Sequence, residues 1–385
     1  MGTIVNFLRV NGNKTFKEVP FCDADILTIG LLTYCNFEGS DICDVIDMKN
    51  RMVNIHLFST LQTFKNLNIH FLIPKEIDDF YSLFLKCGRY KDVKIGYFKK
   101  IDDTQICNQF FGLTIRINHK IFVCVRGTDR TINGWEEDFN LALLDVIPSQ
   151  ESSRIYLEEV LERVAGQVYV LGHSKAGNLV DYAFLKAKPE SKERIKIVYN
   201  LDGPGFKNFS KDTFTPYLDK LVKIVPNDDV VGILLEPCDD FEIVVSNKTS
   251  IFAHDLCTWQ LSLKSSYRNF NKTDTLTNNS IALRYSLAQF IDQLGPDKVR
   301  EVGHALFKLI KENNITDAKD FGSNFLFIMT RYERKTRKIK SEEDKDMRSY
   351  LNLFAKLYMN ALLNLRNVKK DDVSKLIAKF SNTGE

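Results

Sequence analysis

Short apolar runs recur through the middle of the chain: Val93 to Phe98, Phe110 to Ile117, Ile121 to Val125, Val168 to Leu171, Ile195 to Leu201, Leu221 to Val225 and Glu242 to Val245. Runs of this length, rich in β-branched and aromatic residues and bounded by polar ones, predict strands. Ala176 to Lys186, between two of them, reads as helix. Asp23 to Tyr34 and Ile77 to Cys87, each with an acidic residue near its start, predict a helical layer ahead of the strands. Thr131 to Pro148 reads as loop and helix, and the helical spacing of Phe139, Leu143 and Val146 predicts a face packed on the core.

The pattern changes near Asn269. Asn269 to Ser280, rich in Asn and Thr, reads as a linker or exposed loop. Beyond it Ile281 to Leu294, Asp297 to Glu312, Glu342 to Leu365 and Asp371 to Phe380 predict helices. We therefore expect a strand-rich domain over 1–270 and a helical region over 271–385 that caps it or binds a protein partner. The basic run Arg331 to Lys340 reads as a solvated connector, with peripheral contact to anionic lipid headgroups as the alternative.

Candidate chemistry concentrates at V-Y-V-L-G-H-S-K-A-G, Val168 to Gly177, where Ser174 sits between a predicted strand and a predicted helix. The small residues Gly172, Ala176 and Gly177 suit a sharp turn that brings the two backbones close. A serine there either caps the helix through a backbone N–H or presents its Oγ as a nucleophile. Upstream, the strand Ile121 to Val125 ends in Arg126-Gly127-Thr128-Asp129. Downstream, Leu221 to Val225 ends in Pro226-Asn227-Asp228-Asp229, and Glu242 to Val245 leads on to His254. Ser174, an aspartate and His254 thus occur in the order of a Ser-Asp-His triad, with acid and base each after a strand. His173 reads as structural, His304 as a residue on a helix face, and His56, His70 and His119 have no motif around them.

Arg126-Gly127-Thr128, Trp135-Glu136-Glu137-Asp138 and Gly172-His173-Ser174 resemble the fungal-type class 3 lipases, with R-G-S or R-G-T before an N-W-x-x-D stretch. Several further stretches are similar to a bacterial branch of that superfamily, the Mbeg-like proteins. These are Pro20 to Leu27 with Tyr34 and Phe37-Glu38-Gly39, then Asp202 to Phe206, Val230 to Leu235, and Ala253-His254-Asp255 with Trp259-Gln260. The resemblance covers about the first two thirds of the chain. It implies an α/β-hydrolase fold with a mostly parallel central sheet, and cleavage of a small-molecule or lipid acyl ester without cofactor or metal. Ser174 would be the nucleophile and His254 the base. Asp229, in a D-x-V pattern where Gly232 replaces the lipase proline, is favoured as the acid over Asp202, with Asp228 a third option. The backbone N–H of Lys175 and Thr128, whose hydroxyl could also donate, would form the oxyanion hole. In lipases the stretch after Thr128 can also carry a lid. A thioesterase or acyltransferase, or a silent hydrolase fold that recruits partners, is the alternative.

Composition excludes other classes. A net charge of +3 and the lack of a glycine-rich phosphate loop argue against nucleic acid as a partner. The N-terminus does not read as a signal peptide, and no apolar stretch is long enough to span a bilayer, so a cytoplasmic location is expected. The 8 cysteines are scattered without C-x-x-C pairs or zinc spacing, which reads as reduced thiols.

Overall fold

The computed structural model describes residues 1–35, 37, 47, 49–58, 74–129, 132–236, 240–312 and 342–366. The chain divides into two compact units, Met1–Thr275 and Leu276–Glu385.

Among the described residues, nine strands of the first unit form one sheet in chain order: β1 (Met52–Asn54), β2 (Lys94–Asp103), β3 (Asn108–Ile117), β4 (Lys120–Val125), β5 (Val168–His173), β6 (Ile195–Leu201), β7 (Leu221–Pro226), β8 (Glu242–Val244) and β9 (Lys272–Thr273). β1 to β4 pair antiparallel, β4 to β8 parallel, and β9 runs antiparallel on β8. Parallel neighbours need crossover connections, and helices supply most of them. α1 (Ile4–Asn11), α2 (Asp23–Leu32) and α3 (Pro74–Phe84) precede the long strands. α4 (Ile132–Asn140) and α5 (Pro148–Arg163) link β4 to β5, α6 (Lys175–Leu185) and α7 (Pro189–Arg194) link β5 to β6, and α8 (Lys211–Phe214) links β6 to β7.

The two-residue period of a strand sorts the core into two faces. In β4, Phe122 and Cys124 join a cluster with Phe7, Leu27 and Phe80 of α1 to α3. Val123 and Val125 join another with Tyr156, Leu157 and Leu179 of α5 and α6. β5 divides in the same way, Tyr169 and Leu171 to the first face, Val168 and Val170 to the second. A sheet covered on both faces needs apolar residues at successive positions, which is why its strands read as continuous apolar runs. The mostly parallel sheet, its helical layers and the strand-turn-helix at β5–α6 make this an α/β-hydrolase fold.

Six elements were not anticipated: α1, α5, the short α7 and α8, β1 and β9. α1 buries Ile4, Phe7 and Leu8 at helical spacing in only eight residues. α5 opens on Pro148 and a run of Ser and Gln, so its apolar stripe of Tyr156, Leu157, Val160 and Leu161 appears only in its second half. β1 and β9 have three and two residues, too few for alternation to show. The polar run after Asn269 is not simply a linker. It supplies β9, and Asn271 N–H donates to Gln260. The single packed face expected after Thr131 is also corrected: α4 ends at Asn140, and Val146 is 44% exposed while Leu143 is buried.

The two ends of the first unit meet. Gly2 bridges to Leu261, Ala24 N–H donates to Arg268 O at 3.1 Å, and Phe270 N–H donates to Asp23 Oδ2 at 2.9 Å. In the second unit α9 (Asn278–Glu312) breaks at Gly295, whose φ of +73° is a conformation glycine tolerates best. Its first half packs through Ile281, Ala282 and Tyr285 on Tyr358, Ala361 and Leu365 of α10 (Glu342–Arg366). No described helix is long and apolar enough to cross a membrane. The segments 331–340 and 371–380 of the sequence reading lie outside the described residues.

Trp259 is fully buried, stacks edge-on against Phe270 at 5.9 Å, and donates its indole N–H to Ala253 O at 3.0 Å. Trp259→Ala should lower stability by about 3–5 kcal/mol, read as a fall in the urea midpoint. A loss within the ±0.5 kcal/mol or so of a surface change would show that the ring does not hold this segment.

Candidate active site

β5 ends at His173, α6 begins at Lys175, and Ser174 between them has φ 61° and ψ −137°. Such a backbone costs a non-glycine residue about 1–3 kcal/mol and persists only where neighbours over-determine it. Ser174 N–H donates to Leu201 O at the end of β6 at 3.0 Å, and Ser174 O accepts from Gly177 N–H at 2.8 Å. A Cβ on Gly172 would fall 2.1 Å from Ala176 O, and one on Gly177 would fall 2.2 Å from Asn200 Oδ1. The first glycine thus lets α6 fold back over β5. The second, one place later than in the usual elbow, lets α6 pass close to β6.

His254 is buried, and its Nδ1 lies 2.6 Å from Asp202 Oδ2. An ionised carboxylate only accepts, so with Asp202 ionised Nδ1 carries the proton and Nε2 of the neutral ring is left as an acceptor. This corrects the sequence reading, which favoured Asp229. Asp229 makes no hydrogen bond to His254. It accepts backbone N–H groups from Val231, Gly232 and Ile233 instead. The reason is positional: Asp202 N–H pairs with Ile224 O, which sets the end of β6 against β7 and aims the Asp202 side chain at the histidine. Asp228 accepts from Ser250 N–H at 2.8 Å, four residues before His254.

His173 does more than fill space beside the serine. Its ring stacks on that of His254 with centroids 4.6 Å apart, and its Nε2 lies 2.9 Å from His254 O. A carbonyl cannot donate, so Nε2 is protonated and Nδ1 of the neutral ring accepts from Tyr34 OH at 2.6 Å. His304 lies in α9, and its side chain is outside the described residues.

Gly127 brings the turn after β4 against the elbow: a Cβ there would lie 3.0 Å from Ser174 Cβ. The adjacent Thr128 hydroxyl is 2.7 Å from both oxygens of Asp138. Its single proton is therefore spent on that carboxylate, which leaves the Thr128 backbone N–H as the donor this turn can offer. Lys175 N–H, at the first position of α6, is likewise unused by the helix. The Lys175 side chain points elsewhere: Nζ is fully buried and donates to Glu137 Oε2 at 2.7 Å, Gln109 Oε1 at 2.8 Å and Gln109 O at 3.0 Å. Gln109 and Glu137 had no signal in the sequence beyond the Trp135-Glu136-Glu137-Asp138 stretch. Among the described residues, no group of three His, Cys, Asp or Glu side chains is placed to hold a metal ion.

Residues 84–308, more than half of the chain, match the family model described as Mbeg1-like. The chain belongs to the Mbeg1-like family. It is also similar to the crystal structure of the Lip2 lipase from Yarrowia lipolytica, with a TM-score of 0.34 and 14% identity over 57% of this chain and 76% of that one. No curated protein matches it.

Electrostatics in this Mbeg1-like site are governed by burial. Burial lowers the pKa of His254, against the opposing pull of Asp229, Asp255 and Asp138. Burial also raises Asp138 to about 6, with Lys175 and the Thr128 hydroxyl acting the other way. Asp202 and Asp229 are both raised by burial, and the charge of Asp202 pushes Asp229 further. Glu137→Gln would leave the Lys175 ammonium buried without its countercharge and should cost about 3–5 kcal/mol by urea unfolding. Adding Lys175→Met should recover most of that loss, because the backbone N–H is untouched and no lone charge remains.

Proposed function

We propose that this protein is a serine hydrolase that cleaves a carboxylic ester of a lipid or other acyl substrate through Ser174, His254 and Asp202. The observations that carry the reading are the 2.6 Å contact of His254 Nδ1 with Asp202, a serine held at positive φ on a strand-to-helix turn, and the stacking of the neighbouring His173 ring on His254. Ser174 Oγ attacks the acyl carbonyl as His254 Nε2 takes its proton. Asp202 stabilises the imidazolium, which then returns the proton to the leaving alkoxide. Water, activated by the same histidine, releases the acid from the acyl-enzyme. The Lys175 and Thr128 backbone N–H groups receive the oxyanion, each contributing about 3–4 kcal/mol at the transition state. Ile251 and Phe252, 40% and 50% exposed just before His254, favour an apolar acyl chain. All of these residues precede Leu276, so the C-terminal helices are left for capping or partner binding.

Wild-type protein should form a covalent adduct with a fluorophosphonate probe and hydrolyse a short-chain aryl ester. Ser174→Ala should lose the adduct and lower turnover by up to about a million-fold. Equal labelling of the two would end the assignment.

The pH profile follows from His254 and Asp202. The base must be neutral and the acid ionised; burial holds His254 below the ordinary 6.5 and raises the Asp202 carboxyl to about 7, so kcat/KM should hold above pH about 7 and fall under more acid conditions as the pair gains protons. An acid limb centred well above that value would mean that another group titrates.

A further inference from the structure

The helix α2 precedes the family-matched residues 84–308, yet its far end reaches the candidate site. Ile26, Leu27, Ile29 and Leu31 bury it in the first face of the core, so packing fixes its position. A Cβ on Gly30 would fall 2.7 Å from Leu256 Cδ1, two residues past His254, and 3.3 Å from Leu201 Cδ1, one residue before Asp202. Four residues on, just past the end of the helix, Tyr34 is buried. Its hydroxyl lies 2.6 Å from His173 Nδ1, and the two rings meet edge to face with centroids 5.5 Å apart. A Cβ on Gly127 would fall 2.6 Å from the same hydroxyl and 2.5 Å from His173 O, which sets the turn before Thr128 against this pair.

We propose that Tyr34 is a positioning residue for His254 that acts through His173: its hydroxyl selects the neutral His173 tautomer that donates Nε2–H to the His254 carbonyl. The proposal rests on the Ser174, His254 and Asp202 reading above. A neutral imidazole has one donor and one acceptor nitrogen, and the hydrogen bond made by one decides the role of the other. The His254 carbonyl, 2.9 Å from His173 Nε2, can only accept, and a phenol keeps its proton at neutral pH, so Tyr34 donates to Nδ1. Without that donor the ring is free to carry its proton on Nδ1. The bare Nε2 would then face the carbonyl with two lone pairs opposed, and the hold on His254 would be lost. His254 is gripped at its carbonyl and on its ring face by His173, and at Nδ1 by Asp202. Such a grip matters because a shift of about 1 Å in a reacting group can cost about a hundred-fold in rate.

The test combines nitrogen-15 NMR of the full chain with labelled histidine and turnover of a short-chain aryl ester by wild type, Tyr34→Phe, His173→Phe and the double variant. Wild-type His173 should be neutral at pH about 7 with its proton on Nε2. Tyr34→Phe removes only the hydroxyl. It should shift the His173 proton toward Nδ1 and lower kcat by up to about a hundred-fold with KM little changed, because the base and not the substrate is displaced. His173→Phe keeps a stacked ring but neither hydrogen bond, so adding Tyr34→Phe to it should slow turnover no further. Four results would overturn the proposal: a wild-type His173 that is protonated or carries its proton on Nδ1, a Tyr34→Phe turnover within about twofold of wild type, a slowed Tyr34→Phe with the His173 tautomer unchanged, or losses that add in the double variant. The wild-type spectrum decides the tautomer even where a variant fails to fold. Failure of the hydrolase reading is distinct: wild type would then form no fluorophosphonate adduct, whereas failure of the proposal alone leaves wild-type labelling intact.

Discussion

The constraint on which the rest depends is the backbone of Ser174. A serine at φ 61° is held there by its N–H to Leu201 and by a helix that can fold back only over Gly172. Leu201 immediately precedes Asp202, so one hydrogen bond ties the turn that carries Ser174 to the strand end that carries Asp202. The ladder continues outward, Asp202 N–H to Ile224 and Asn227 N–H to Val244. Each strand end is thus braced by the next strand, in the order in which the candidate site residues occur.

A second layer of control comes from buried charge. Glu137 and Asp138 are consecutive in α4, and each holds one side of the candidate oxyanion site, Glu137 through the Lys175 ammonium and Asp138 through the Thr128 hydroxyl. Buried ion pairs seldom add much net stability, since desolvation offsets most of the attraction. Their value here is geometric: two adjacent side chains on one helical turn set the relation between the β4 turn and the start of α6.

Sequence patterning reads this fold well where burial is uniform. β6 spans Ile195 to Leu201 as its apolar run indicates, and the helical break at Gly295 follows from Gly295-Pro296. It fails for α5, whose polar first turns face inward, and for β1 and β9, which are too short to show a period. Ser174 and His254 can be singled out because a turn and an order along the chain mark them. The choice between Asp202 and Asp229 cannot be made that way. Both follow strands, and which one meets the imidazole depends on how far each strand end projects, a property of the sheet rather than of either segment. Gly232 in place of proline was the one local sign of a departure, and its meaning is visible only once its N–H is seen between the two carboxyls.

The strand order has a consequence for how the chain is made. Because the nine strands lie in the order of synthesis, each new strand finds its partner already in place, and the sheet can grow from one edge without waiting for distant segments. The closing contacts behave differently. Gly2 pairs with Leu261, and Asp23 with Phe270, across nearly the whole first unit. The N-terminal helices therefore cannot finish docking until the segment just past His254 has emerged from the ribosome. Growth along the sheet is sequential, but completion of the unit is a single late event that joins its first and last residues.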